Sequence, residues 1–320
     1  MDRRGVLLGA AGALAAGPAL AQGPKSPRLV FLNGMKVLVC DADGQNLKAL
    51  VEPPANQPRG AGLYDGVAYD ARSKQVYWTD MGRANADDGT VQRIDIAGGA
   101  PAMVVKPGGA FTPKQMKLDA AHGKMYWSDR EGMRIMRANL DGSAIEVLVQ
   151  TGSGEADRKD QRRWCVGIAL DVPRGQIYWT QKGGDNAGAG LIRRAGLEIP
   201  RGQTPSTRTD IETLFAALPE PIDMDLDLAR RQLYWTDRGD NTVSRAPMDP
   251  PKGYDPAHRG DRQILVRGIN EAIGITLDLK GGRMFYTSLG GELGTAGLDG
   301  SGARMLRTDL RPLTGIALVD

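Results

Sequence analysis

The sequence predicts an all-β protein: a closed ring of six sheets, each made of four short antiparallel strands. Three observations carry that prediction. One five-residue pattern recurs at nearly even intervals along the chain. A second, apolar pattern recurs a few residues upstream of it. The copies nearest the two chain ends are each incomplete, and each supplies what the other lacks.

The recurring pattern reads VYWTD at Val76 to Asp80, MYWSD at Met125 to Asp129, IYWTQ at Ile177 to Gln181 and LYWTD at Leu233 to Asp237. Tyr77, Tyr126, Tyr178 and Tyr234 are 49, 52 and 56 residues apart. A decayed copy, MFYTS at Met284 to Ser288, puts Phe285 in the Tyr place 51 residues further on. Another, LVFLN at Leu29 to Asn33, puts Val30 there, 47 residues before Tyr77. A repeat of this period signals an array of like supersecondary units.

Upstream of the motifs come GVAYD (66–70), QMKLD (115–119), GIALD (167–171), DMDLD (223–227) and GITLD (274–278). Downstream of each motif are two more short strand-like runs, such as RIMRANL then IEVLV. Asp43-Gly44, Asp141-Gly142 and Asp299-Gly300 fall between such runs, and Asp-Gly is a hairpin turn signal. Each unit is therefore four strands in about fifty residues.

LVFLN has no strand of the second type before it, and GIALVD (315–320) has no motif after it. The last strand is expected to pair with the first (29–33) and close a six-bladed β-propeller. One blade cannot bury both of its faces, so only the stacked ring gives a core.

Four of the five Trp and five of the eight Tyr lie in the motif. Large aromatics in matching places on successive sheets suit filling the wedge between blades. A catalytic motif would occur once. The last position drifts through Asp80, Asp129, Gln181, Asp237 and Ser288, so no single chemistry is kept there. The pattern resembles the YWTD repeat, the class B repeat of low-density-lipoprotein receptors, over residues 28–320. The resemblance implies a six-bladed ring closed by strands from both ends, with the motif residues structural. The receptors embed this ring among cysteine-rich modules, whereas here it stands alone behind a bacterial-looking export signal, so the receptors' functions are not implied.

That signal is read in residues 1–21: Arg3 and Arg4, an apolar run from Gly5 to Gly17, and a small-x-small cleavage site at Ala19 to Ala21. The paired arginines resemble a twin-arginine export signal; ordinary Sec export stays open. Residues 22–27 read as a linker and 28–320 as one propeller. The location expected is periplasmic or secreted. Removing residues 1–21 changes the formal charge from +3 to +2, with signs interspersed, which gives no electrostatic case for nucleic acid. No later segment is apolar and long enough to span a bilayer. Cys40 and Cys165 are read as two buried thiols.

With strands lettered A to D from the axis outward, D–A and B–C loops share one face of the ring, and A–B and C–D turns share the other. The ends of three successive D–A loops read GLYDG, AFTPKQ and RRWCVG. They bring Tyr64, Phe111 and Trp164 together with Asp65, Lys114, Arg162 and Arg163. The remaining loops add Glu220, Glu271 and Arg311. An apolar floor with a few converging charges is the usual make-up of a small-ligand pocket. The ligand-binding set expected is Tyr64, Asp65, Phe111, Lys114, Arg163, Trp164, Glu220, Glu271 and Arg311.

Asp87, Asp88, Asp185 and Asp240 lie in different B–C loops without EF-hand spacing, so no metal site and no cofactor are expected. His122 and His258 fall on the opposite face, which leaves a Ser-His-Asp arrangement without support. Two RGD tripeptides (238–240 and 259–261) are set aside as chance. The insertion at 248–261 reads as a tolerated loop, or as a docking loop with Tyr254 exposed. The function expected is binding of a small ligand or protein partner at the channel mouth, without catalysis. The alternative is a periplasmic propeller hydrolase, lactonase or lyase using the channel-mouth carboxylates Asp65, Glu220 and Glu271, with or without a metal's assistance, and with Lys114 or Arg163 steadying an anionic intermediate.

Overall fold

A computed structural model of the chain describes Met1 and residues 27–53 and 62–319. The expected export signal (apart from Met1), most of the 22–27 linker and Asp320 lie outside the described residues. The described residues form six four-stranded antiparallel sheets.

Strands β1 (Arg28–Asn33), β2 (Lys36–Asp41) and β3 (Lys48–Val51) belong to the first blade. The second holds β4 (Tyr64–Asp70), β5 (Gln75–Asp80), β6 (Gly89–Asp95) and β7 (Ala102–Ala110). The third holds β8 (Pro113–Asp119), β9 (Lys124–Asp129), β10 (Arg134–Asn139) and β11 (Glu146–Gln150). The fourth holds β12 (Cys165–Asp171), β13 (Gln176–Gln181), β14 (Gly190–Gly196) and β15 (Glu212–Leu218). The fifth holds β16 (Pro221–Asp227), β17 (Gln232–Asp237), β18 (Thr242–Pro247) and β19 (Gln263–Arg267). The sixth holds β20 (Ala272–Asp278), β21 (Arg283–Ser288), β22 (Leu293–Gly297) and β23 (Arg304–Arg307). The final strand, β24 (Leu313–Val319), returns to pair with β1 as the innermost strand of the first blade. The two incomplete ends therefore complete one blade, as the repeat predicts.

The motif aromatics fill the seams between blades. Tyr77 shares a buried cluster with Trp127, Tyr126 with Trp179, and Tyr178 with Trp235. Tyr234 with Tyr286, Phe285 with Phe31, and Val30 with Trp78 complete the circuit. In every seam the Tyr place of one blade meets the Trp place of the next. The four motif Trp side chains are 0% exposed.

The small polar residue after Trp ties each blade to the next. Thr180 Oγ1 accepts from Gly167 N of its own blade at 2.7 Å and donates to Ile222 O of the next at 2.6 Å. Thr79 to Lys114 O, Ser128 to Gly167 O, Thr236 to Ile273 O and Thr287 to Thr314 O repeat the link. In the first blade Leu32 takes this place and has no hydroxyl. Thr314 supplies it instead, donating to Tyr64 O at 2.7 Å. These strands approach closely where a small residue allows it: a Cβ on Gly167 would lie 2.1 Å from Ile222 O.

The chemistry of the drifting last position varies, yet at four of the six copies it serves one task. Asp129 accepts from Phe111 N and Thr112 N, and Asp237 from Glu220 N. Gln181 Nε2 donates to Arg162 O, and Asn33 Nδ2 to Pro312 O. In these four the side chain pins the loop entering its own blade, and an amide or a carboxylate can do this; Asp80 and Ser288 instead bond Gly82 N and Glu292, which follow their strands.

The outer turns seat on the preceding blade. A Cβ on Gly142 would meet Val104 O of β7 at 1.7 Å, so that Asp-Gly turn needs glycine both for contact and for its φ of +86°. The two insertions use a buried arginine instead. Arg208 donates to Leu148 O and chelates Asp210; Arg259 donates to Leu214 O and chelates Asp261. One RGD is thus an internal staple, its Arg259 side chain 1% exposed. Tyr254 is half-buried and donates to Thr213 O, so it is not an exposed docking residue.

Candidate functional site

Aligning the six blades by strand register builds the mouth of the channel in three tiers. The innermost tier comes from the second residue of each inner strand: Asp65, Lys114, Val166, Ile222, Ile273 and Thr314. Half of that ring is polar and half apolar. All six line one cavity of about 220 Å³. Val166, Ile222 and Ile273 pack together as its floor, with Leu289 against them.

The next tier is the residue directly after each motif. Met81, Arg130, Lys182, Arg238 and Leu289 all line the cavity. The sequence reading missed this tier. Its signal was available, since the position follows every copy of the motif and is basic in three of them. The last tier is the residue just before each inner strand, which contributes Leu63 and Glu220 to the cavity.

The charges at the mouth are paired. Lys114 Nζ donates to Asp65 Oδ2, and Gln115 Nε2 donates to Asp65 Oδ1 at 3.1 Å. Burial pushes the Lys114 amine below its usual pKa, although Asp65 pulls the other way. Lys182 Nζ lies 2.8 Å from Glu220 Oε1 and 2.7 Å from Asp185 Oδ1. Arg238 Nη2 reaches the same two carboxylates at 3.0 and 2.8 Å. Glu220 is 2% exposed and Asp185 is 70% exposed, so one carboxylate is built in and the other sits at the rim. Arg130 pairs with the buried Glu131 at 2.6 Å.

Of the nine expected ligand residues, the cavity brings together Asp65, Lys114 and Glu220. Tyr64 is turned into the seam between the first two blades, its ring 5.8 Å from Trp78. Phe111 is buried under the Arg158 guanidinium, 4.1 Å away. Trp164 stands at the rim, half-buried, with Arg130 4.8 Å and Lys182 5.7 Å from its ring. The three aromatics differ because they occupy different registers. Tyr64 is the first strand residue, Trp164 precedes its strand by one, and Phe111 precedes its strand by two. Arg163 lies outside the cavity and binds Thr151 O at 2.7 Å and Asp157 at 3.2 Å. Glu271 is half-exposed, 3.9 Å from Arg238, and does not line the cavity. Arg311 is exposed and does not line it either.

No family model matches the chain. It is 39% identical over 294 residues to low-density lipoprotein receptor-related protein 1 of Pyricularia oryzae, covering 89% of this chain and 92% of that protein. The chain belongs to this receptor-related family. The receptor-related propeller is also 38% identical over 267 residues to a protein of Cochliobolus heterostrophus named 3-hydroxyacyl-CoA dehydrogenase-like protein LAM1. That match covers 80% of this chain and 56% of the relative. Among solved structures, a chain of a nidogen/laminin complex matches with a TM-score of 0.69 at 22% identity. It covers 92% of this chain and 98% of that one, and shows the shared fold.

Both thiols of this receptor-related propeller are free and buried, and burial pushes each up to about 12. Among the described residues no three His, Cys, Asp or Glu converge as a metal donor set. No helix among them is long and apolar enough to cross a membrane. His122 and His258 lie on the opposite face, each with Nδ1 2.7 Å from an aspartate three residues back.

Proposed function

We propose that this receptor-related propeller is an exported binding protein without catalysis of its own. It takes an anionic group at the channel mouth, on the face of the D–A and B–C loops. One observation carries this reading. Four cations, Lys114, Arg130, Lys182 and Arg238, face a cavity that only two carboxylates, Asp65 and Glu220, also line. Lys182 and Arg238 are completed by Asp185, an exposed rim carboxylate. Asp185 reaches these cations from solvent at 70% exposure, so an incoming carboxylate competes with it for the same two donors. The volume of about 220 Å³ lies below the usual range for drug-sized ligands. It suits a small acid, or one acidic side chain presented by a partner protein.

Binding rather than catalysis is favoured because both candidate carboxylates that line the mouth are already neutralised, while Glu271 does not line it. Asp65 holds Lys114, and Glu220 holds Lys182 and Arg238. Cys165, the nearest thiol, is fully buried. The common dinucleotide-binding fold is built of parallel βαβ units, and every described sheet here is antiparallel. The match covers 56% of the dehydrogenase-like relative, so its name gives no support to that activity in this ring. Export rests on the reading of residues 1–21, and the single ring on residues 28–320.

The test is native mass spectrometry of protein recovered from its source cells. The wild type should carry a bound acid or an acidic partner that Ile222→Phe, which fills the cavity floor, excludes. An equal load on both proteins would contradict the site. Ester or lactone hydrolysis lost in Glu220→Gln would contradict the non-catalytic reading.

A further inference from the structure

A second cavity, of about 610 Å³, lies on the same face outside the channel mouth. It falls within the range of about 300–1,000 Å³ that holds small ligands. Its wall is Trp164, whose indole N–H donates to Arg158 O at 2.8 Å and so fixes the ring. Arg130 and Lys182, which lie against this ring, line the channel mouth, whereas Trp164 lines the outer cavity. The indole thus stands between the two spaces and lines the outer one.

Around it stand Asn85, Gln161, Glu131 and Arg158. Three of the four charged lining residues are ion-paired. Arg130 holds Glu131, and Lys159 holds Glu155 at 2.8 Å. Arg158 spreads over Phe111, with its Nε donating to Glu131 O at 3.1 Å. What is left over is neutral hydrogen-bonding capacity. Gln161 Oε1 is buried with no partner, an arrangement that costs free energy unless a donor reaches it.

We infer that this cavity binds a neutral carbohydrate, with one pyranose ring laid on Trp164 and its hydroxyls shared between Gln161 and Asn85. An aromatic plate matches the C–H face of a sugar, and planar amides offer donor and acceptor side by side to neighbouring hydroxyls. Arg158, the lining cation with no carboxylate partner, is already engaged by the Phe111 ring and by Glu131 O. The inference does not depend on the channel-mouth reading.

Trp164 is the reporter, because the other four tryptophans are 0% exposed. Acrylamide quenching of tryptophan emission therefore reads this ring. The probes are glucose, galactose, mannose and N-acetylglucosamine, with inorganic phosphate as the charged comparison. At least one sugar should protect the emission from quenching. Calorimetric affinity for that sugar should fall about tenfold or more in Gln161→Met and in Asn85→Gly, each with an unchanged unfolding midpoint. Asn85→Gly keeps the backbone relaxed, since Asn85 has a φ of +57°. The inference is overturned if no sugar protects Trp164, if phosphate alone does, or if both variants bind sugar as the wild type does. Ile222→Phe, which fills the channel mouth, should leave sugar affinity unchanged; loss there would assign the sugar to the mouth instead.

Discussion

Thr180 donates its hydroxyl to the carbonyl of Ile222 at 2.6 Å, across the seam between the fourth and fifth blades. The same oxygen accepts from Gly167 N at 2.7 Å. One side chain therefore satisfies two buried backbone groups that belong to different sheets. Thr180→Val keeps the shape and removes both bonds. It should destabilise the ring by about 1–3 kcal/mol, read from denaturant unfolding. A change within error would deny the link its structural role.

The aromatic partner of that link is tested by Trp127→Ala. Trp127 is 0% exposed and shares a seam with Tyr77. Truncating a large buried aromatic costs roughly 3–5 kcal/mol. A variant that unfolds cooperatively at the wild-type midpoint would show that the motif does not hold the blades together.

Asp223 sets a pH dependence. Its side chain is 2% exposed and accepts from Ile275 N at 3.1 Å, with Lys117 and Asp225 nearby. Burial raises its pKa from 3.8 to about 7. A raised carboxyl means that the folded state holds the proton more tightly than the unfolded chain. Its contribution to stability is full below about pH 4 and is lost as pH rises to 7. Asp223→Asn should therefore gain stability at pH 8, by up to a few kcal/mol, and gain none at pH 4. An equal effect at both pH values would contradict the assignment.

The buried pair at the mouth predicts an asymmetry. Lys182→Met leaves Glu220 buried with Arg238 as its remaining cation and should cost about 1–3 kcal/mol. Lys182→Met combined with Glu220→Gln should recover much of that loss, because the orphaned charge is gone. Additive costs in the double variant would mean that the two residues do not interact.

Cys40 and Cys165 should not react with a disulfide reagent in the folded protein and should titrate fully in denaturant. Both are buried, with thiols pushed up to about 12. Reaction of either thiol under native conditions would contradict the packing of β2 or β12.

The ring was legible because its repeats are local and numerous. Six copies of one pattern fix the blade count, and two half-blades at the ends fix the closure. The site was legible only in part. Asp65, Lys114 and Glu220 could be found because each sits within one residue of the start of an inner strand. Tyr64 and Phe111 could not be sorted from Trp164, because one residue of register turns a side chain from the rim into a seam. Arg130, Lys182 and Arg238 were hidden by the motif itself, since attention stops at its last letter. The pairing of Lys182 with Glu220 crosses two blades, and side-chain reach of that kind leaves no spacing rule in a sequence.

The most direct test of the binding face is a crystal structure of protein purified from its source compartment with no ligand added. The account predicts density for an acidic group between Lys182 and Arg238, in the place of Asp185. An acidic group bound instead at the opposite end of the channel, beside Lys117, with the mouth still bridged by Asp185, would contradict it.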